Sequence, residues 1–259
     1  MVGRLARRVK SMFIAKEGIK EIALATLVLG GIASGLFYIA WPLAVPFVIV
    51  WLWVLAFFRD PPRHKKSFAA GELCSPADGT ITEVVEIENH PTIGGPAVRI
   101  GMFLSLFNVH INRSPCAGTV RSLSYRKGEF LDARHPESGQ RNESNSVVID
   151  PVPPLPGPVV VRQVAGLVAR RIVCHAKAGQ SLALGQRFGL IKFGSRTELI
   201  IPLVHNTEVT VAVGDRARAG LTLLARQPIV KEDAAKTDDT ASDGLSKLAT
   251  AGESFSKDR

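Results

Sequence analysis

Charge is missing from one long stretch of this sequence: nothing from Ile22 through Phe58 is ionised. The stretch holds two apolar runs, Ile22 to Ala40 and Pro42 to Phe58. The first has about the length that crosses a bilayer, and the second is short for a full span. A small-residue cleavage site is also missing, and the second run follows the first at once, which argues against a removed secretory signal. Cysteine is scarce. Cys74, Cys116 and Cys174 form no C-x-x-C pair. An odd, scattered set points to free thiols in a reducing compartment, most simply as buried structural residues. Signatures of nucleic-acid binding are absent, and the basic residues are not interleaved with aromatics in one stripe. The net charge of +9 is therefore read as attraction to an anionic membrane surface, with no nucleic-acid partner.

What is present supports that reading. Before the first run lie Arg4, Arg7, Arg8, Lys10, Lys16 and Lys20 against Glu17 and Glu21. After the second lie Arg59, Arg63, Lys65 and Lys66 against Asp60. Two basic flanks place both ends on the cytoplasmic side of the cell membrane. Trp41, Trp51 and Trp53 suit interfacial anchoring, and Pro42 and Pro46 break or kink a helix there. Two arrangements fit, a two-span helical hairpin and a shallower re-entrant anchor, and the first is favoured.

Residues 1–66 thus read as a basic N-terminus, anchor and proline-stiffened linker. Residues 67–226 alternate glycine, proline and short β-branched runs, the pattern of a mainly β hybrid barrel or sandwich. The expected strands are Gly79–Ile87, Ala97–Leu104, Thr119–Tyr125, Ser146–Ile149, Val159–Leu167, Arg170–His175, Arg187–Lys192, Thr197–Val204, Glu208–Val213 and Leu221–Ala225. Leu104–Ile111 alone carries a weak helical period. Glycines six apart, Gly179 with Gly185 and Gly214 with Gly220, mark an internal echo. Such turns occur in lipoyl-like hybrid β-folds, and convergent hairpin turns would explain them equally well. Residues 227–259 have Phe255 as their only aromatic and read as a disordered polar tail.

Chemistry centres on Gly194-Ser195, the only Gly-Ser dipeptide among 23 glycines. A serine hydroxyl held against the preceding carbonyl can attack its own backbone. It needs a base to take its proton, and a carboxylate usually orients that base. Of six histidines, His110 stands where an apolar stretch meets polar groups, and an imidazole there can be tuned by desolvation. Asp78, in Pro76-Ala-Asp-Gly79, also fits an ordinary hairpin turn.

Several phrases occur in a telling order: Phe58-Arg-Asp-Pro-Pro-Arg63, Ser75-Pro-Ala-Asp-Gly-Thr80, Asn108-Val-His-Ile-Asn-Arg-Ser-Pro115, the Arg134-to-Ser144 loop, Gln163 to Cys174, and Phe188-Gly-Leu-Ile-Lys-Phe-Gly-Ser-Arg196. Together they cover roughly residues 50–225, and the chain resembles phosphatidylserine decarboxylase proenzymes of the short, membrane-anchored bacterial type. The resemblance implies that Asp78 and His110 activate Ser195 to attack the Gly194 carbonyl. Cleavage would leave chains 1–194 and 195–259 as a heterodimer, with Ser195 converted to a pyruvoyl group. That group would form a Schiff base with phosphatidylserine and release CO2 to give phosphatidylethanolamine, with no metal. Arg113 and Arg196 are conceivable partners for phosphate or carboxylate. Longer bacterial members carry a second histidine three residues beyond the first; here Arg113 stands there.

Two other classes remain. A membrane-bound serine hydrolase could use Ser195, His110 and Asp78 without self-cleavage, although residues 193–197 lack the Gly-x-Ser-x-Gly elbow. A non-enzymatic membrane-tethered module would rest on the glycine turns alone.

Overall fold

The computed structural model describes residues 13–63, 67–135, 137–167, 171–192 and 194–229. The first basic cluster before Phe13, linker residues 64–66 and the expected tail from residue 230 onward lie outside them.

Two helices come first, α1 (Ile19–Ile39) and α2 (Val45–Phe57), joined by the 3-10 turn Trp41–Ala44. Pro42 and Pro46 occupy the first positions of that turn and of α2, where a missing N–H leaves no bond unmade. The Trp51 indole donates to the Thr26 hydroxyl at 2.9 Å, tying the two arms together. The 21 residues of α1 reach about 31 Å, enough for a hydrocarbon layer of about 30 Å. The 13 residues of α2 reach only about 20 Å. None of the apolar window in α1 is buried, so it is not the core helix of a soluble fold.

The remainder is mainly β. Its strands are β1 (Glu72–Cys74), β2 (Gly79–His90), β3 (Gly95–Leu104), β4 (Ile111–Arg113), β5 (Gly118–Arg126), β6 (Ser144–Pro151), β7 (Val159–Val164), β8 (Ile172–Cys174), β9 (Ser181–Leu182), β10 (Arg187–Ile191), β11 (Ser195–Pro202), β12 (Glu208–Val209), β13 (Arg216–Ala217) and β14 (Leu223–Arg226). Between β5 and β6 lies a single helical turn, α3 (Ser138–Arg141). One antiparallel sheet runs β13-β2-β3-β11-β7-β6-β5-β9, and two three-stranded sheets run β1-β14-β12 and β4-β10-β8. The main core, including Leu73, Ile81, Met102, Val161, Leu199 and Leu224, joins the large sheet to the small ones. β11 is central and buried along its whole length, which is why its sequence reads as a run rather than an alternation.

The glycine echo is structural. Gly179, Gly185, Gly214 and Gly220 all have positive φ, and the Gly185 and Gly220 turns face each other. A second repeat goes with them: Ser75-Pro-Ala-Asp-Gly-Thr-Ile81 and Ser114-Pro-Cys-Ala-Gly-Thr-Val120. The Gly214 N–H donates to the Ile81 carbonyl as the Gly179 N–H donates to that of Val120. The two small sheets are likewise counterparts, and the fold is two similar half-modules.

Leu104–Ile111 is not helical: β3 ends at Leu104, a turn follows, and β4 starts at Ile111. Its apolar spacing comes from a strand end in the main core, Leu104, and a strand start in a smaller one, where Val109 and Ile111 pack with Ala15 and Leu190. Cys74 and Cys116 are buried, and burial pushes both thiols up to about 12, as expected of inert structural residues.

The hairpin base is built into the β domain. The Ala15 N–H donates to the Phe58 carbonyl and that of Asp60 to Phe13, both at 2.7 Å. Glu17 pairs with His175 and Arg187, and Lys192 with Glu21. Asp60 bridges Arg113 at 2.8 Å and Arg187 at 3.0 Å. These contacts grip β4 and β10, the strands that carry the functional site.

Candidate functional site

His110 is the residue just before β4. Its Nδ1 lies 3.0 Å from the Asn108 carbonyl, and its Nε2 accepts from the Gly194 N–H at 3.3 Å. A carbonyl only accepts and an amide N–H only donates, so the two bonds select one neutral tautomer, with the proton on Nδ1. Phe57, at the end of α2, lies against the imidazole with ring centroids 4.5 Å apart. Burial pushes the His110 pKa down to about 4; the nearby Arg59 charge adds to this and the Asn108 bond works against it. The imidazole is thus a neutral base at ordinary pH, with its lone pair facing residue 194.

Ser195 opens β11 opposite Leu104 of β3 and is fully buried. Its Oγ has no hydrogen-bond partner among the described residues. An unpartnered buried hydroxyl is costly to keep, roughly 1–3 kcal/mol, and such orphans cluster where chemistry needs them. Gly194 has φ of 63°, open to glycine at little strain. Its carbonyl is pressed against Gly166, where an added Cβ would collide with the carbonyl oxygen. The carbonyl is therefore fixed from one side by a glycine that a side chain could not replace.

A polar chain underlies the site. Asn112 of β4 donates to Thr197 of β11 at 3.0 Å, Gln163 of β7 to Asn112 at 2.9 Å, and Asn145 of β6 to Gln163 at 3.0 Å. All four side chains are buried, and the chain locks the small sheet to the large one beneath Ser195. Asn142 joins Leu131 to Ala165, bringing the Arg134-to-Ser144 loop beside Gly166. A cleft of about 340 Å³ opens at Gly194, lined among others by Phe103, Ser105, Asp132 and Arg134.

The residues singled out in the sequence divide here. Gly194, Ser195 and His110 meet. Asp78 does not bond His110: its carboxylate takes Arg63 at 2.6 Å and the Ala219 N–H at 2.8 Å. The Asn108 carbonyl orients the imidazole instead. Arg196 follows Ser195 in a strand and so faces the other side of the sheet. There it pairs with Glu83 and Glu198 and is buried. Arg113 is engaged by Asp60 and the Gly185 carbonyl. Both arginines are committed to internal partners rather than open to a ligand. The sequence reading missed Phe57, Asn108, Gly166 and the Asn112–Thr197 link. The first three act through backbone or packing, which no residue type advertises, although Gly166 lies inside the phrase Gln163 to Cys174; the fourth joins side chains 85 residues apart. Among the described residues no group of three or more His, Cys, Asp or Glu could hold a metal ion.

The stretch that holds these residues is matched in known proteins. The family profile for phosphatidylserine decarboxylase matches residues 51–225. The chain is 44% identical over 220 residues to a phosphatidylserine decarboxylase proenzyme of Rhodopirellula baltica, covering 84% of this chain and 89% of that one. It is 42% identical over 217 residues to the proenzyme of Nitrosomonas europaea, covering 82% and 94%. A third proenzyme, from Magnetococcus marinus, is 39% identical over 222 residues, covering 84% and 96%. The matched span contains the histidine, the glycine-serine pair and the strands that join them, and the chain belongs to the phosphatidylserine decarboxylase family.

Proposed function

We propose that this chain is a proenzyme that cuts itself between Gly194 and Ser195, and that the resulting pair of chains decarboxylates phosphatidylserine to phosphatidylethanolamine. The observation that carries the reading is the neutral His110 Nε2 facing Gly194 beside the unpartnered Ser195 hydroxyl.

In the first step the Ser195 Oγ gives its proton to His110 Nε2 and attacks the Gly194 carbonyl carbon. The peptide C–N bond breaks, its nitrogen takes the proton back, and an ester joins the two residues. Gly166 holds the attacked carbonyl in place. A base then removes the Ser195 Cα proton and the Cβ–O bond breaks, leaving a carboxylate on Gly194 and a dehydroalanine at 195. Water replaces the nitrogen as ammonia, and a pyruvoyl carbonyl heads the chain 195–259. That carbonyl supplies an electron sink for the bond to the departing CO2. The buried pocket of Ser195 fits it, since the group is smaller than a bound cofactor and needs no new cradle. His110 Nε2 is placed to move a proton at residue 195. Arg134 on the cleft wall, paired with Asp132 but exposed, offers N–H donors to an anionic headgroup, and Asp78 supports the site indirectly by holding Arg63 and the backbone at Ala219.

The apolar hairpin would hold the enzyme at the membrane, where its diacyl substrate resides. The basic residues on both flanks favour the cytoplasmic face for the β domain.

A denaturing gel of protein from an active membrane fraction tests the reading. Chains 1–194 and 195–259 are expected, the second blocked at its N-terminus, and Ser195→Ala should stay full length. An uncut wild-type chain would sink the proposal, and ester hydrolysis by that uncut chain would favour a serine hydrolase.

A further inference from the structure

Ser195, Leu104 and Val164 mark one end of the large sheet, and Pro202, Ala97 and Pro151 mark the other. Three connections meet at the Ser195 end: the one after β3, the one after β7 and the one before α3. They surround the cleft at Gly194. Its rim carries apolar side chains that no protein surface covers: Leu106 is 36% exposed, Phe107 73% and Leu167 58%. Large side chains exposed together at one opening mark an interaction surface.

The hairpin leaves the β domain at the same place. Arg59, two residues beyond α2, donates to the Phe107 carbonyl at 2.7 Å. Its neighbour Phe57 covers His110, which bonds Gly194 in the cleft floor. The rim is therefore continuous with the only helix pair among the described residues that is apolar on its outer surface. Arg59 brings positive charge there, its described bonds going only to the Ala56 and Phe107 carbonyls, while Arg134, also exposed, is paired with Asp132 at 2.7 Å.

We infer that Leu106, Phe107 and Leu167 form a second membrane contact that dips into the interface of an anionic bilayer and seats the cleft mouth on it. The inference rests on the hairpin being a membrane anchor and deepens the decarboxylase reading. A tether alone would leave the domain free to tumble above the surface. A rim sunk in the interface holds the opening at headgroup depth, so a headgroup enters the cleft while its acyl chains stay in the bilayer. Apolar side chains flanked by arginine suit that boundary, where carbon is buried and charge meets lipid phosphate.

The test uses full-length, self-processed protein in vesicles of phosphatidylserine and phosphatidylcholine. An environment-sensitive fluorophore is placed on Phe107→Cys or Leu167→Cys in a Cys174→Ala background. The control is Val152→Cys, 58% exposed and just beyond β6 at the far end of the sheet. Labels at 107 and 167 should shift to the blue and be quenched by lipid-borne quenchers, and the label at 152 should do neither. Equal, water-like behaviour at all three positions overturns the inference. In a second arm, Phe107→Ser with Leu167→Ser should lower the ratio of turnover on vesicle phosphatidylserine to turnover on a water-soluble short-chain phosphatidylserine by roughly tenfold. An equal loss on both substrates overturns it too, since the residues would then serve only as cleft wall. Absence of CO2 from either substrate with uncut wild-type protein would instead bring down the decarboxylase reading, and the label arm would still report on the rim.

Discussion

In the first half-module Ser75 donates to the Ala77 carbonyl, and a Cβ on Gly79 would strike the Phe103 backbone. In the second, Ser114 donates to the Cys116 carbonyl, and a Cβ on Gly118 would strike the Asp150 backbone. Arg113 N–H reaches the Pro76 carbonyl as Cys74 N–H reaches that of Pro115. The halves part company at their edges. The carbonyl of Gly71 receives Gln227 N–H before β1, while that of His110 receives Ile191 N–H before β4. Glycine in one half thus stands where the other has His110, the proposed base. Past β14 the next residue is Gln227, whereas past β10 the chain enters Gly194 and Ser195. Asp78 in the first half corresponds to Ala117 in the second. The shared residues build turns and close approaches. The unshared ones are those of the proposed chemistry, so the difference between the halves separates frame from proposed function within one chain.

The largest expected effect comes from erasing the difference. His110→Gly gives the second half the residue of the first, and self-cleavage should slow by about 10²–10⁴-fold, the span of a positioned general base. A gel time course measures it. Cleavage at the wild-type rate would mean that the imidazole is part of the frame.

Gly166→Ala comes next. The methyl would displace the Gly194 carbonyl from its place before Ser195, and a displacement of about 1 Å can lower a rate by about 10²-fold. Hydroxylamine splits esters, so it identifies the step affected. If the uncut variant resists hydroxylamine, the ester never forms, as expected. Splitting by hydroxylamine would move the role of Gly166 to the later elimination.

Frame residues should instead cost stability, and equally in the two halves. Gly79→Ala and Gly118→Ala each push a methyl into backbone, which strains a packed site by about 1–3 kcal/mol. Measured by thermal melting in a Ser195→Ala background, the two losses should match. A loss confined to one half would break the structural equivalence.

How much of this was legible in the sequence follows the same division. The spaced glycines and the uncharged runs were legible because each imposes a backbone or solvent requirement on its own residue. Gly194-Ser195 and His110 were legible because their chemistry belongs to the residue type. The Ser75 and Ser114 phrases passed unpaired, since only their crossed backbone bonds reveal them as counterparts. Asp78 was expected beside His110, but its carboxylate is used by Arg63 and Ala219, and a backbone carbonyl takes its place. Backbone acceptors have no letter in the sequence. Arg196 was a conceivable ligand partner because of its charge, but that charge is matched by Glu198 two residues along β11 and by Glu83 of β2, a strand distant in the chain.

The smallest effect concerns how His110 stays neutral, and it sharpens the contrast with Gly71, where no charge is at stake. Phe57 shields the imidazole from water, and burial holds its pKa near about 4. The neutral, base-competent form therefore persists as pH falls through 6 and is lost only toward 4. The stability term has the same sign: it is fully present above the unfolded value of about 6.5 and is lost as pH falls through the folded value. Self-cleavage by the wild type should be nearly flat from pH 8 to 5. Phe57→Ala admits water, raises the pKa toward 6.5 and moves the acid limb up with it. At pH 5 the variant should be slower by up to about thirtyfold, and at pH 8 the two should agree. An equal slowing at both pH values would mean that Phe57 places the ring rather than keeping it dry, and the hairpin would then act on the site through geometry alone.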